Sequence, residues 1–255
     1  MIPEPDPSVV AALERLTPEE LTVFVGPSLV GSPLATPCAR LTVPPIRDGD
    51  LTALINSPTP PARVLVVDGY FGAGQAVNLT EIRDTLRAGV HLYGCSSMGA
   101  LRAVEAAPWG MTGLGKVFAA YRDSIRTQDE NVALLHDEDY QPLTVPTVNL
   151  DALCTLLEDE GAQPGPAGAF QRAASSLYFG DRTFTALRRL GEQYLPDHHQ
   201  VLDRLTRPAE RWRWDVKRQD AEESLAGLAL GQAPQPTTRP LSPVPDRVDL
   251  LLGNG

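Results

Sequence analysis

ARVLVVDGYFGAGQAVNLTEIRDTLRAGVHLYGCSSMGALRAVEAA, residues 62–107, decides the fold. Its opening run, ARVLVVDGYF (62–71), is continuous Val and Leu closed by Asp-Gly. A strand apolar on both faces is a central strand with both sides covered. NLTEIRDTLRA (78–88) then places Leu79, Ile82 and Leu86 at helical spacing, and Gly89 is positioned to cap its C-terminus. VHLYG (90–94) reads as the next strand and SSMGALRAVEAA (96–107) as the next helix, stopped by Pro108. Strand, helix, strand, helix at this spacing implies parallel strands joined by crossovers.

The same reading extends upstream. TVFVGPSL (22–29) is a β-branched run entering a Gly-Pro turn, and ARLTVPP (39–45) suggests a second strand, with Asp48 placed to cap a short helix through Ile55. Residues 1–20 form an N-terminal extension, an irregular start followed by a short amphipathic helix. Residues 108–150 hold a glycine-rich turn (WGMTGLG), a helix near Lys116–Arg126 and an acidic loop. From Asp151 strand signals vanish, and DALCTLLEDEGA, FQRAASSLYFG, FTALRRLGEQYL and HQVLDRL each read as amphipathic helices. The expectation is an α/β class: a parallel-sheet core with flanking helices over 21–150, a mostly helical region over 151–231, and a Pro-rich flexible tail over 232–255.

Composition narrows the function classes. A net charge of −10 argues against broad binding to nucleic acid or anionic membrane, since both need a positive surface. The acidic, Pro-rich start MIPEPDPSVV lacks the form of a secretory signal, and no apolar run is long enough to span a bilayer, so a cytoplasmic location is expected. Cys38, Cys95 and Cys154 are far apart, odd in number and without metal-ligand spacing; neither a metal nor a cofactor is expected.

Gly94-Cys95-Ser96-Ser97-Met98-Gly99-Ala100 falls where a strand turns into a helix. A nucleophilic serine benefits there, because the helix start offers unpaired N–H groups and the positive end of the dipole to an oxyanion. The segment resembles the serine segment of Clp-type proteases, ASMGA, in which the serine before Met-Gly is the nucleophile; that points to Ser97. The alternative is that Ser96 is a helix N-cap, Ser97 sits in the first turn and Gly99 permits close packing.

Over a longer span the chain resembles the TfuA-like family. GPSL (26–29), PPIRDGDL (44–51), VVDGYF (66–71), NLTEIRDTLRAGVHLYG (78–94), SSMGALRAVEA (96–106), WGMTGLGKVFAAYRD (109–123) and DENVALLH (129–136) occur in that family's order. The resemblance implies a partner of a YcaO-type enzyme, which uses ATP to activate a peptide amide oxygen for replacement. It implies release of sulfide from a thiocarboxylated, ubiquitin-like sulfur-carrier protein for backbone thioamidation, contact with the precursor peptide only indirectly, and a serine–lysine active site.

On that reading Ser97 attacks and the Met98 N–H helps hold the oxyanion, together with an N–H from the Gly69 or the Gly26 turn, near Ser28. Asp68, at the same sheet edge, acts in catalysis or braces the Gly69 turn. Relatives carry His-Lys-Glu-Ile where this chain has Leu79-Thr80-Glu81-Ile82, so Thr80 stands at the lysine position, and threonine is no general base near neutral pH. Lys116, in the LGK turn, is a substitute or a solvated surface residue; His136 is a second substitute or part of an acidic loop. The chain's other lysine is Lys217. Arg211, Trp212, Arg213 and Trp214 form either a partner-binding patch for an acidic peptide or carrier, or tryptophans packed inside with wet arginines. Beside the hydrolase stand two alternatives: a non-catalytic YcaO-binding partner that promotes precursor engagement, and a stand-alone Clp-like serine hydrolase, disfavoured because no Ser-His-Asp set emerges.

Overall fold

The structure, a computed structural model, describes residues 2–72 and 74–234. In chain order its elements are α1 (Pro7–Leu13), β1 (Thr22–Phe24), β2 (Thr42–Val43), α2 (Asp50–Ile55), β3 (Arg63–Val66), α3 (Leu79–Arg87), β4 (His91–Gly94), α4 (Met98–Ala106), β5 (Thr112–Gly113) and α5 (Gly115–Arg122). The helices α6 (Thr147–Asp159), α7 (Pro164–Ser175), α8 (Phe184–Tyr194), α9 (His199–Leu205) and α10 (Val216–Ala229) follow. The five strands form one parallel sheet of order β2-β1-β3-β4-β5.

The central run behaves as its pattern dictates. Along β3 the side chains alternate between two cores: Val64 and Val66 pack with Ile82, Met98 and Ala103, while Leu65 and Val67 pack with Leu13, Leu225 and Leu228. All four are sealed, each contributing about 1.5–3 kcal/mol of burial, so a one-residue register slip would exchange the two cores. A third core, within α6–α9, closes around Phe170, Leu187 and Trp214.

Three local readings are corrected. The glycine-rich turn contains a short strand, β5, on the sheet edge, where Gly113 accepts the Phe118 ring against it. Asp48 does not cap α2: the cap position is Gly49, in the left-handed region at φ 93°, and Asp48 instead accepts from Asn78 Nδ2. Beyond the four helices read after Asp151, the chain forms a further fourteen-residue helix, α10, that packs on α1, α5 and α6. Of the Pro-rich tail placed at 232–255, residues 235–255 lie outside the described residues.

The strand order reverses between β1 and β3. In open α/β sheets that switch point leaves a crevice beyond the carboxyl ends of the strands, where ligands bind. Here the crevice is flanked by the Gly26–Ser28 turn after β1, Asp68 after β3 and Ser97 after β4.

Candidate active site

The turn between β4 and α4 brings the chain about sharply. Ser96 lies at φ 62°, rare for a residue with a Cβ, and the Ser97 N–H donates to the Cys95 carbonyl at 2.7 Å, closing a three-residue turn. Such strain persists only where surrounding contacts hold it. One contact is the Ser96 hydroxyl, which donates to the Lys217 backbone carbonyl at 2.7 Å. Another is the pair Gly94 and Gly99: a Cβ on Gly99 would fall 1.8 Å from the Val66 carbonyl oxygen, and one on Gly94 2.1 Å from the Gly99 carbonyl oxygen. Helix α4 can therefore start directly against the sheet only with glycine at both positions.

Ser96 is thus not the cap of α4. That position belongs to Ser97, whose hydroxyl makes no cap bond. The Ser97 side chain opens instead onto a cavity of about 470 Å3. Asp68, Gly69, His136 and Lys217 share the cavity wall with it, as do Val132 and the ring of Phe179. Such a volume is ordinary for a ligand site.

Lys217 is the unforeseen member. Only 2% exposed, it enters from the first turn of α10, and its Nζ donates to the Val132 carbonyl at 2.9 Å and lies 3.9 Å from Asp68 Oδ1. Burial pushes its pKa down from 10.5; the charges of Asp68 and Asp215 oppose that without reversing it. A lysine so placed can hold a neutral, proton-accepting amine nearer to neutral pH than a solvated one. Its position on the helix is fixed twice: its own N–H donates to Asn149 Oδ1 at 3.3 Å, and Asn149 Nδ2 donates to Asp215, the N-cap of α10, at 2.7 Å.

Asp68 braces the Gly26–Ser28 turn. Its Oδ2 accepts the Gly26 and Ser28 N–H groups at 3.0 and 2.9 Å, and its Oδ1 the Ser28 hydroxyl at 2.7 Å. With three donors on it and Lys217 Nζ 3.9 Å from its Oδ1, this carboxylate anchors the turn. The Gly26 N–H is consequently spent. By contrast the N–H groups of Gly69 and Met98 have no acceptor among the described residues. Asp68 and Tyr70 make the bonds to Ile46 on one side, which turns the Gly69 N–H to the other side, where Met98 packs against Gly69. Unspent backbone amides of this kind are the donors an oxyanion would require.

The remaining candidates separate cleanly. Thr80 is exposed on α3 and Lys116 exposed at the start of α5; neither lines the cavity. His136 does, with Nδ1 at 2.8 Å from the Asp137 carbonyl and its ring 5.2 Å from that of Tyr140. Cys95 sits under the elbow, fully enclosed, its thiol pushed up to about 12 by burial, so it is no nucleophile. Among the described residues no group of His, Cys, Asp and Glu is arranged to hold a metal.

Residues 68–183 match the family model described as TfuA-like protein. The chain carries a TfuA-like domain. No curated protein matches it. The TfuA-like match takes in Asp68, Gly69, Ser97, Met98 and His136; Gly26, Ser28 and Lys217 reach the same site from outside it. TfuA-like proteins are associated with YcaO-related modification.

The segment 211–214 is folded into the molecule. Trp214 is sealed in the α6–α9 core with its Nε1 donating to the Leu205 carbonyl. Arg211 lies over the Phe184 ring at 3.7 Å, and Arg213 pairs with Glu160 at 2.8 Å. Trp212 is half-buried, with its Nε1 enclosed and unpartnered among the described residues. No helix among the described residues is long and apolar enough to cross a membrane.

Proposed function

We propose that this TfuA-like protein is a serine–lysine hydrolase that releases sulfide from a thiocarboxylated, ubiquitin-like sulfur-carrier protein and supplies it to a YcaO-type enzyme for backbone thioamidation. The observation that carries the reading is the convergence of Ser97 and a buried, pKa-lowered Lys217 on one cavity wall.

The chemistry follows from the residues. Ser97 Oγ attacks the thioacid carbonyl carbon while the neutral Lys217 amine takes the hydroxyl proton. The N–H groups of Gly69 and Met98 hold the oxygen as it becomes negative. Collapse of the tetrahedral species breaks the C–S bond, Lys217 passes the proton it took to the departing sulfur, and hydrogen sulfide leaves with the carrier held as an ester on Ser97. Water, deprotonated by the regenerated Lys217 amine, then cleaves the ester and the same proton passes to Ser97 Oγ, so one thioacid and one water give one carboxylic acid and one hydrogen sulfide. Lys217, from α10, takes the place of the lysine that the family's motif would put at Thr80.

Purified protein is mixed with thiocarboxylated carrier and sulfide is followed with a thiol-reactive probe. Ser97→Ala is expected to lower the rate by roughly 10³-fold, and His136→Ala to leave it within a few-fold. Equal rates in wild type and Ser97→Ala would remove Ser97 as nucleophile. Loss in His136→Ala with retention in Lys217→Arg would favour the Clp-like arrangement instead. The second reading, a non-catalytic partner that promotes precursor engagement by YcaO, draws on the threonine at position 80. It requires that the precursor's affinity for YcaO rise when this protein is added, equally with wild type and Ser97→Ala.

A further inference from the structure

Around the cavity lies an apolar collar. Among the described residues five large hydrophobic side chains are exposed, and three of them, Leu135 (45%), Leu143 (49%) and Tyr178 (58%), belong to it. They are contiguous. The Leu143 N–H donates to the Leu135 carbonyl at 2.8 Å, Gly180 is flanked by both Tyr178 and Leu135, and the Tyr178 ring sits 4.3 Å from that of Phe179. Leu135 and Phe179 continue inward as cavity wall. Asp129, Glu130, Asp137, Glu138 and Asp139 are exposed along the same segment, and no lysine or arginine occurs between Arg126 and Arg172.

An apolar centre with an acidic margin selects its occupant. A short thioacid on its own is an anion and meets Asp129 and Glu130 on the cavity wall, which repel it. A folded protein that carries the thioacid on its C-terminal tail offsets this repulsion with its own surface, provided that surface is apolar at the centre and basic at the rim. We infer that the collar of Leu135, Leu143 and Tyr178 with the 129–139 carboxylates is the docking face for the thiocarboxylated carrier, a small protein with a basic-rimmed apolar patch whose tail threads into the cavity. This rests on the hydrolase reading above. It places the partner surface opposite in charge to the 211–214 segment.

Two measurements separate docking from chemistry. The labelled carrier in its ordinary carboxylate form is titrated against wild type, Leu143→Ser/Tyr178→Ser and Glu138→Lys, each first shown to melt like wild type. In parallel the wild type and variants are given thiocarboxylated carrier and an acetyl-Gly-Gly thioacid. The expected result is carrier affinity weakened about tenfold or more in the double variant, with KM for the carrier raised to match and turnover of the short thioacid within twofold. For Glu138→Lys the loss shrinks as salt rises. Unchanged carrier affinity and KM in all variants overturn the docking face and leave the hydrolase standing. Collar-dependent carrier binding with no sulfide from either substrate does the reverse. Variants that lose YcaO while keeping the carrier overturn the proposal too, by assigning the collar to the enzyme partner.

Discussion

Two adjacent serines show how much a single dihedral decides. Ser96, at φ 62°, points its hydroxyl into the protein and ties the elbow to α10; Ser97, one residue on, opens to the cavity. Both are serines in one run, and only the backbone turn tells them apart. Lys217 carries the sharpest residue-scale expectations. Arginine stays protonated, so Lys217→Arg should leave carrier binding intact and lower sulfide release by about 10³-fold. The wild-type kcat/KM should rise with pH through a limb set by Lys217 losing its proton, with a midpoint below 10.5, and a pH–rate series checks this. The same shift acts on stability. Because folding lowers this pKa, the folded chain binds fewer protons than the unfolded chain between the lowered value and 10.5, so this group's contribution to stability increases as pH rises through that window. Lys217→Met should flatten the slope, as measured by urea unfolding across alkaline pH.

At the scale of elements, the sheet and its nearest helices follow from local pattern, whereas α5 and α10 depend on each other. Helix α5 has no side-chain cap of its own. Asp220, from α10, supplies one by accepting the Lys116 and Val117 N–H groups at 2.8 Å each. Gly115 makes room: at φ 85° it adopts a conformation L side chains avoid, and a Cβ there would lie 2.4 Å from the Asp220 carboxyl carbon. Asp220→Ala should cost about 1–2 kcal/mol of stability in chemical denaturation. A larger loss, about 3 kcal/mol or more, is expected for Gly99→Ala, because the clash is with backbone of β3 that cannot move without breaking the sheet. Helix α10 escapes a periodic reading of the sequence for a physical reason. Its buried positions include Lys217, Arg218, Asp220 and Ser224, so no apolar stripe of period 3.6 marks it. The lysine that lines the cavity sits in that helix, where charge reads as surface.

At the scale of the molecule, α10 joins the sheet to the helices that follow it. Its Leu225 and Leu228 complete the core on one face of the sheet, its cap Asp215 bonds Asn149 of α6, and Trp214 just ahead of it is sealed in the α6–α9 core. With the parts so tied, unfolding should be one transition. In a Trp109→Phe/Trp212→Phe background, Trp214 fluorescence and far-UV circular dichroism are expected to give coincident urea midpoints; separated midpoints would show two independent units. The sequence by itself determined the parallel α/β sheet and the placement of a serine at a strand-to-helix turn, because both rest on hydrophobic period and turn residues a few positions apart, and it carried the TfuA-like resemblance in the order of its segments between residues 26 and 136. Only the tertiary structure decided which backbone amides stay free, that Thr80 and Lys116 lie away from the cavity, and that Lys217 lies in it, 120 positions from Ser97 in the chain. Free amides and a lowered lysine pKa are consequences of what packs around a group, and no local pattern encodes them.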